Sequence, residues 1–164
     1  MYAYYRSMSI PATPGGRLGS LTFILGQCLH IAGTASPYWS RDEGYHSGIW
    51  KDCYKGKCTS FYDENMIDKW QWLRAVQAMA VLGVIIALFG IITSIVHLRT
   101  GNKSLLTIAA LSAIGAGILV VLGAVIYVAF NDSSGLYWAF WFEVSASVIM
   151  LFSGVGLFTE LCRG

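Results

Sequence analysis

SGIWKDCYKGKC, residues 47–58, sets a Gly-x-Trp ahead of two cysteines separated by four residues, in a stretch with three lysines. Such a pair serves three chemistries: a redox dithiol, half of a metal site, or a structural disulfide. Each belongs to its own solvent and compartment. What surrounds the stretch therefore decides between them.

Outward from it the chain turns strongly apolar. Of 164 residues, 55% are hydrophobic and 12% charged, and mean hydropathy is +0.57. A soluble domain usually carries about 25% charged residues, so more apolar surface is present than one water-soluble core can hide. The net charge of +2 gives no basis for nucleic-acid binding, and no Gly-rich phosphate loop or HExxH metal motif occurs. Four stretches are long enough to cross about 30 Å of hydrocarbon as helices: 18–38, 72–98, 105–130 and 136–161. Backbone amides in lipid must be satisfied within the segment, and the short alternating runs of a membrane barrel are missing. The first span is the least apolar, carrying Gln27 and His30. Arg17 ahead of an apolar run, with small residues at 33–36, outlines a cleaved signal. Pro37-Tyr38-Trp39 reads instead as an interfacial belt, so the segment counts as a span.

Orientation follows from the connections. Segment 99–104 holds Arg99 and Lys103 and no acid; the tail 1–17 holds Arg6 and Arg17 and no acid. Segment 39–71 holds five Lys/Arg and six Asp/Glu, but a long segment crosses largely regardless of charge. Weighting the short connections places 1–17, 99–104 and 162–164 in the cytoplasm, and 39–71 and 131–135 outside. The expectation is a multi-pass plasma-membrane protein with both termini cytoplasmic. Outside is oxidising, so Cys53 and Cys58 are expected to form a disulfide across a hairpin whose turn is Lys55-Gly56. The redox reading needs CxxC beside a βαβ pattern. The metal reading needs two more ligands, and His46 is the only nearby histidine. No metal and no cofactor is expected.

Trp39, Gly48, Trp50, Cys53 and Cys58 lie between the first and second spans. With WLRAVQAM at 72–79, including its Val76-Gln77-Ala78 run, and LFSGVGLF at 151–158, they resemble the claudin superfamily, nearest the peripheral myelin protein and epithelial membrane protein branch. The resemblance covers residues 18–160. It implies an all-α membrane fold: a left-handed four-transmembrane-helix bundle topped by a small extracellular antiparallel β-sheet. In that fold the first outer loop builds the sheet with a share from the second, and Trp39, Gly48, Trp50 and Gln77 are motif residues. The chain departs from the pattern in several places, among them a Cys53–Cys58 spacing shorter than claudins typically show and Trp138 and Trp141 earlier in the fourth span than the myelin branch's Trp. Segment 131–135 is very short for a share in the sheet, and TELCRG lacks the terminal Tyr-Val by which many claudins bind PDZ scaffolds.

Inside the spans, Ala80, Gly83, Ala87, Gly90 and Ser94 recur at steps of three and four. Small residues so spaced predict a close helix–helix face. His30, Gln77 and Glu143 fall at comparable depth in the outer half and are predicted to form a buried polar cluster. An ionised Glu facing lipid would cost about 2.5 kcal/mol or more. Tyr45, Lys51, Tyr54, Lys55 and Lys57 form a predicted extracellular recognition patch, since aromatics and mixed charge mark interfaces. Cys162 is a candidate for palmitoylation, and Asn131, in an Asn-Asp-Ser sequon, for glycosylation. The resemblance implies work by contact rather than catalysis, with membrane lipid and other membrane proteins as partners. Those proteins are copies of itself in the same or facing membrane, giving adhesion, membrane apposition or barrier organisation. The alternative is an ion channel or receptor to which the chain is an auxiliary subunit.

Overall fold

The computed structural model describes residues 13–61, 71–131 and 135–163. The far ends of the chain, the last part of the long connection (62–70) and most of the expected sequon at 131–133 lie outside the described residues. The element order is α1 (Pro14–Ala35), β1 (Ser40–Asp42), β2 (Tyr45–Ser47), β3 (Lys51–Tyr54), β4 (Lys57–Ser60), α2 (Gln71–Thr100), α3 (Lys103–Phe130) and α4 (Trp138–Arg163). The shortest helix, α1, has 22 residues, or about 33 Å at 1.5 Å per residue. All four helices are long and apolar enough to cross a membrane.

Local chemistry sets the helix ends. Thr13 caps α1, its Oγ1 accepting from Gly16 N at 3.1 Å, and Pro14 takes the first turn, where its missing N–H costs nothing. Gly101, at φ +69°, ends α2 and donates to the His97 carbonyl at 2.8 Å. Asn102 then starts α3, its Oδ1 accepting from Ser104 N at 2.9 Å, while its own carbonyl faces His97 Nδ1 at 2.8 Å. The α2–α3 turn is thereby closed on itself.

The helices form a ring in which α1 packs on α2 and α4, and α3 packs on the same two. Two runs of glycine at seven-residue spacing bring them together. On α1, a Cβ added at Gly19, Gly26 or Gly33 would come within 2.7–3.0 Å of Leu157, Met150 or Glu143. Those three α4 residues are also seven apart, running the opposite way. On α2, Gly83 and Gly90 face His30 and Phe23 of α1 in the same fashion. Large side chains of one helix thus enter glycine gaps of the next, the close approach that substitutes for a hydrophobic drive in lipid. The small residues expected to line α2 are all buried, as are Ala109, Ala113, Ala116, Gly117 and Ala124 of α3. Large apolar side chains such as Leu18, Ile85, Phe89, Leu111, Val125 and Phe152 point outward. That inversion of a water-soluble surface is what a hydrocarbon solvent requires.

The four strands form an antiparallel meander in the order β1-β2-β3-β4. The β3–β4 turn is Lys55-Gly56, both with positive φ (46° and 81°), the two-residue geometry whose twist suits a hairpin. The short connection before α4 does share in the sheet. Leu136 bridges to Ser40, the Arg41 amide donates to Gly135 O at 2.8 Å, and the Tyr137 amide donates to Trp39 O at 2.8 Å. Three residues suffice because they enter as one extended strip along the β1 edge. The expected four-helix bundle with a small antiparallel sheet is the fold observed.

Candidate functional site

The sheet sits on the bundle through hydrogen bonds to buried carbonyls. The last turn of a helix leaves carbonyls without partners, and α1 ends under the sheet. Trp39 Nε1 donates to Gly33 O at 2.8 Å, and Trp50 Nε1 donates to Thr34 O at 2.7 Å. Two indoles therefore cap the C-terminal carbonyls of α1 while their rings fill the space above it. Trp39 is buried against Tyr127, its ring edge-on at 4.8 Å between centroids. Gly48 lies so close to the Ser36 carbonyl and Pro37 Cα that no Cβ fits. Gln77, in the second turn of α2, donates from Nε2 to Ile49 O at 2.6 Å. All four motif residues thus perform one task, fixing the β2–β3 connection and the start of β1 onto α1 and α2.

That assignment corrects the polar cluster expected from depth. Gln77 does not join His30 and Glu143; it turns toward the sheet, because the Ile49 carbonyl is buried and needs a donor. The third member is Thr34. His30 Nδ1 lies 2.6 Å from Glu143 Oε2, Thr34 Oγ1 donates to Glu143 Oε1 at 2.7 Å, and His30 Nε2 lies 3.1 Å from Ala80 O. The Ala80 carbonyl can only accept, so Nε2 carries a proton. One further proton lies between Nδ1 and Oε2. All these side chains are more than nine-tenths buried, and they tie α1 to both α4 and α2. Thr34 is four residues after His30, on the same helix face; that spacing is the signal that would have found it. Below the cluster, Ser20 and Ser94 share a hydrogen bond at 2.6 Å. Gln27 is buried, and among the described residues neither end of its amide has a hydrogen-bond partner.

The sheet register separates the loop residues into rows. Tyr45, Tyr54 and Lys57 are neighbours across β2, β3 and β4; His46, Cys53 and Cys58 form the next row, on the opposite face. Cys53 and Cys58 are joined as a disulfide, their Cα atoms 4.0 Å apart. Of the expected recognition residues, Lys51, Tyr54, Lys55 and Lys57 are exposed and Tyr45 is half-buried. Strand alternation places Lys51 on the face opposite Tyr54 and Lys57, so the five do not make one surface. The part that coheres is the β3–β4 tip, where Lys55 Nζ lies 5.3 Å from the centroid of the Tyr54 ring. Burial pushes the Tyr45 phenol above its ordinary pKa, and nearby Asp52 adds to this against a lowering hydrogen bond from Ser47. Arg41 donates to Tyr137 Oη at 2.9 Å, fastening β1 to the strip before α4.

Elsewhere, Cys162 is exposed with a free thiol, as is Cys28 on the outer side of α1. Asn131 caps the C-terminus of α3, its amide donating to Tyr127 O at 2.8 Å.

Comparison with known proteins meets this geometry from the other direction. The family model described as PMP-22/EMP/MP20/Claudin matches residues 18–157, from the first turns of α1 to the last turns of α4. A zebrafish (Danio rerio) protein named p53 apoptosis effector related to PMP-22 is 33% identical over 131 residues, 74% of this chain and 70% of that protein. Claudin domain-containing protein 2 of mouse (Mus musculus) is 37% identical over 49 residues, and its human (Homo sapiens) counterpart 38% over 42; these matches span only 29% and 25% of those proteins. Four apolar helices, an antiparallel sheet with a Cys53–Cys58 disulfide, and a match running through all of them make this multi-pass membrane chain a member of the PMP-22/EMP/MP20/Claudin family.

Proposed function

We propose that the chain works at the plasma membrane by protein–protein contact through the β3–β4 tip. In this reading both termini are cytoplasmic and the sheet faces outside. The observation that carries the proposal is a cationic, aromatic tip on a stem crossed by a disulfide and hydrogen-bonded at its base. Tyr54, Lys55 and Lys57 are exposed, the disulfide crosses the hairpin one pair below the turn, and the motif residues bond its base to the helices. A preorganised protrusion loses little entropy on docking. Its lysines suit an acidic surface on a second copy or on another membrane protein in the same or facing membrane. The uncompensated Arg99 and Lys103 of the short α2–α3 connection support the orientation.

The test is expression in suspended cells that do not adhere. Cells carrying the chain should cluster, and Lys55→Glu with Lys57→Glu should abolish clustering while surface amount is unchanged. Undiminished clustering in that variant would remove the tip from the function. Mild-detergent purification is the companion measurement. Stoichiometric recovery of channel or receptor chains without self-association would replace adhesion by an auxiliary-subunit role.

A further inference from the structure

The far edge of the sheet carries both signs of charge side by side. Asp42 and Glu43 stand at the β1–β2 turn, and Lys55 and Lys57 at the β3–β4 turn. The two turns touch, the Lys55 amide donating to Gly44 O at 2.8 Å. Asp42 is engaged locally, its Oδ1 accepting from the Glu43 amide at 2.8 Å. The Glu43 side chain is exposed, and among the described residues it has no cationic partner and Lys55 has no acidic one. Beside Glu43 lies a cleft of about 320 Å³ lined by Arg41, His46 and Lys55, with Asp42, the Tyr38 ring and Gly44. Tyr38 stacks on the His46 imidazole, centroids 4.5 Å apart and planes 14° from parallel, and Arg41 is held by its hydrogen bond to Tyr137 Oη. Arg41 and Lys55 outweigh the charge of Asp42, and all three basic side chains can donate, a lining that suits a carboxylate. The recess is basic, and the side chain standing out beside it is acidic.

We infer that the partner at this tip is a second copy of the chain in the facing membrane, with Glu43 of each copy seated in the Arg41–His46–Lys55 cleft of the other. The inference rests on the reading that the tip meets another protein outside the cell. A two-fold axis lying between the membranes makes both contacts at once, because an acid and a basic recess on one rim are complementary to their own rotated image. A partner with a uniformly acidic face would set like charge against Asp42 and Glu43, which costs affinity. A second copy sets Glu43 against base in both directions. One contact between exposed charges is weak, but many copies on two apposed cells act together.

The test is complementary charge reversal on the full chain, in suspended non-adherent cells of two colours sorted to equal surface amount. Cells carrying Glu43→Lys alone should lose clustering, and so should cells carrying Lys55→Glu alone. Mixed together, the two populations should form two-colour clusters, since each contact between them then joins a base to an acid. A chain with both reversals should cluster with itself and not with the wild type. Rescue on mixing also shows that each variant is folded. Wild-type clustering by Glu43→Lys cells, or a mixture that stays dispersed, would overturn the self-pairing. Loss of clustering in Lys55→Glu with Lys57→Glu would then still place the contact at the tip with some other partner. Wild-type cells that never cluster would overturn the self-pairing and the adhesive reading together.

Discussion

At Glu143 a carboxyl lies in the interior of four helices, with one oxygen at His30 and the other at Thr34. Removing one member of such a buried pair leaves the other unpaired, a loss of roughly 3–5 kcal/mol. Glu143→Leu should therefore lower thermal stability in detergent sharply, whereas His30→Leu with Glu143→Leu should return most of it. Additive losses in that cycle would mean the two residues do not interact. Gln27 is the opposite case, a buried amide with no partner among the described residues. An unsatisfied amide costs about 1–3 kcal/mol, so Gln27→Leu should raise the melting temperature. A lower one would show that a bound molecule partners the amide. The depth of Glu143, like that of His30 and Gln77, was legible from its place in the span, because a helix advances about 1.5 Å per residue. Azimuth was not, and neither was a backbone partner. Gln77 sits at a similar depth to Glu143, yet its donor goes to a carbonyl of Ile49, which carries no side-chain signal of its role.

Among the elements, the spans were readable because a length of apolar chain has few alternatives once lipid is the solvent. The α1–α4 seam was harder to read. Gly19, Gly26 and Gly33 look like weak points in a helix, since each costs up to about 1 kcal/mol against Ala. Only with the partner helix beside them does the seven-residue interval match Leu157, Met150 and Glu143. Gly26→Val should force α1 and α4 apart and reduce the folded yield in membranes, while Ser→Ala at exposed Ser104 should leave it unchanged. Equal yields in both variants would contradict the seam. The β3–β4 hairpin was legible through its cysteines and its Lys55-Gly56 turn, and the rest of the sheet only through the family resemblance. The share taken by residues 135–137 was not, because three extended residues carry no periodicity. Cys53→Ser and Cys58→Ser should each reduce surface delivery to the same level, and the double variant should do no worse. A larger loss in the double variant would mean that each thiol acts separately.

For the whole molecule, two solvents meet at the sheet. Below it, large apolar side chains face outward and polar ones inward; above it, lysines and tyrosines face outward. The Trp39, Trp50, Gly48 and Gln77 contacts join those two regions, and on the proposed reading they hold the exposed hairpin in place as a point of contact. The proposal that this point lies outside the cell is tested most directly by sided labelling. Intact cells expressing the chain are treated with a membrane-impermeant amine reagent, and the modified lysines are read by mass spectrometry. Lys55 and Lys57 should be labelled before permeabilisation and Lys103 only after it; label on Lys103 in intact cells, with Lys55 and Lys57 protected, would contradict the account.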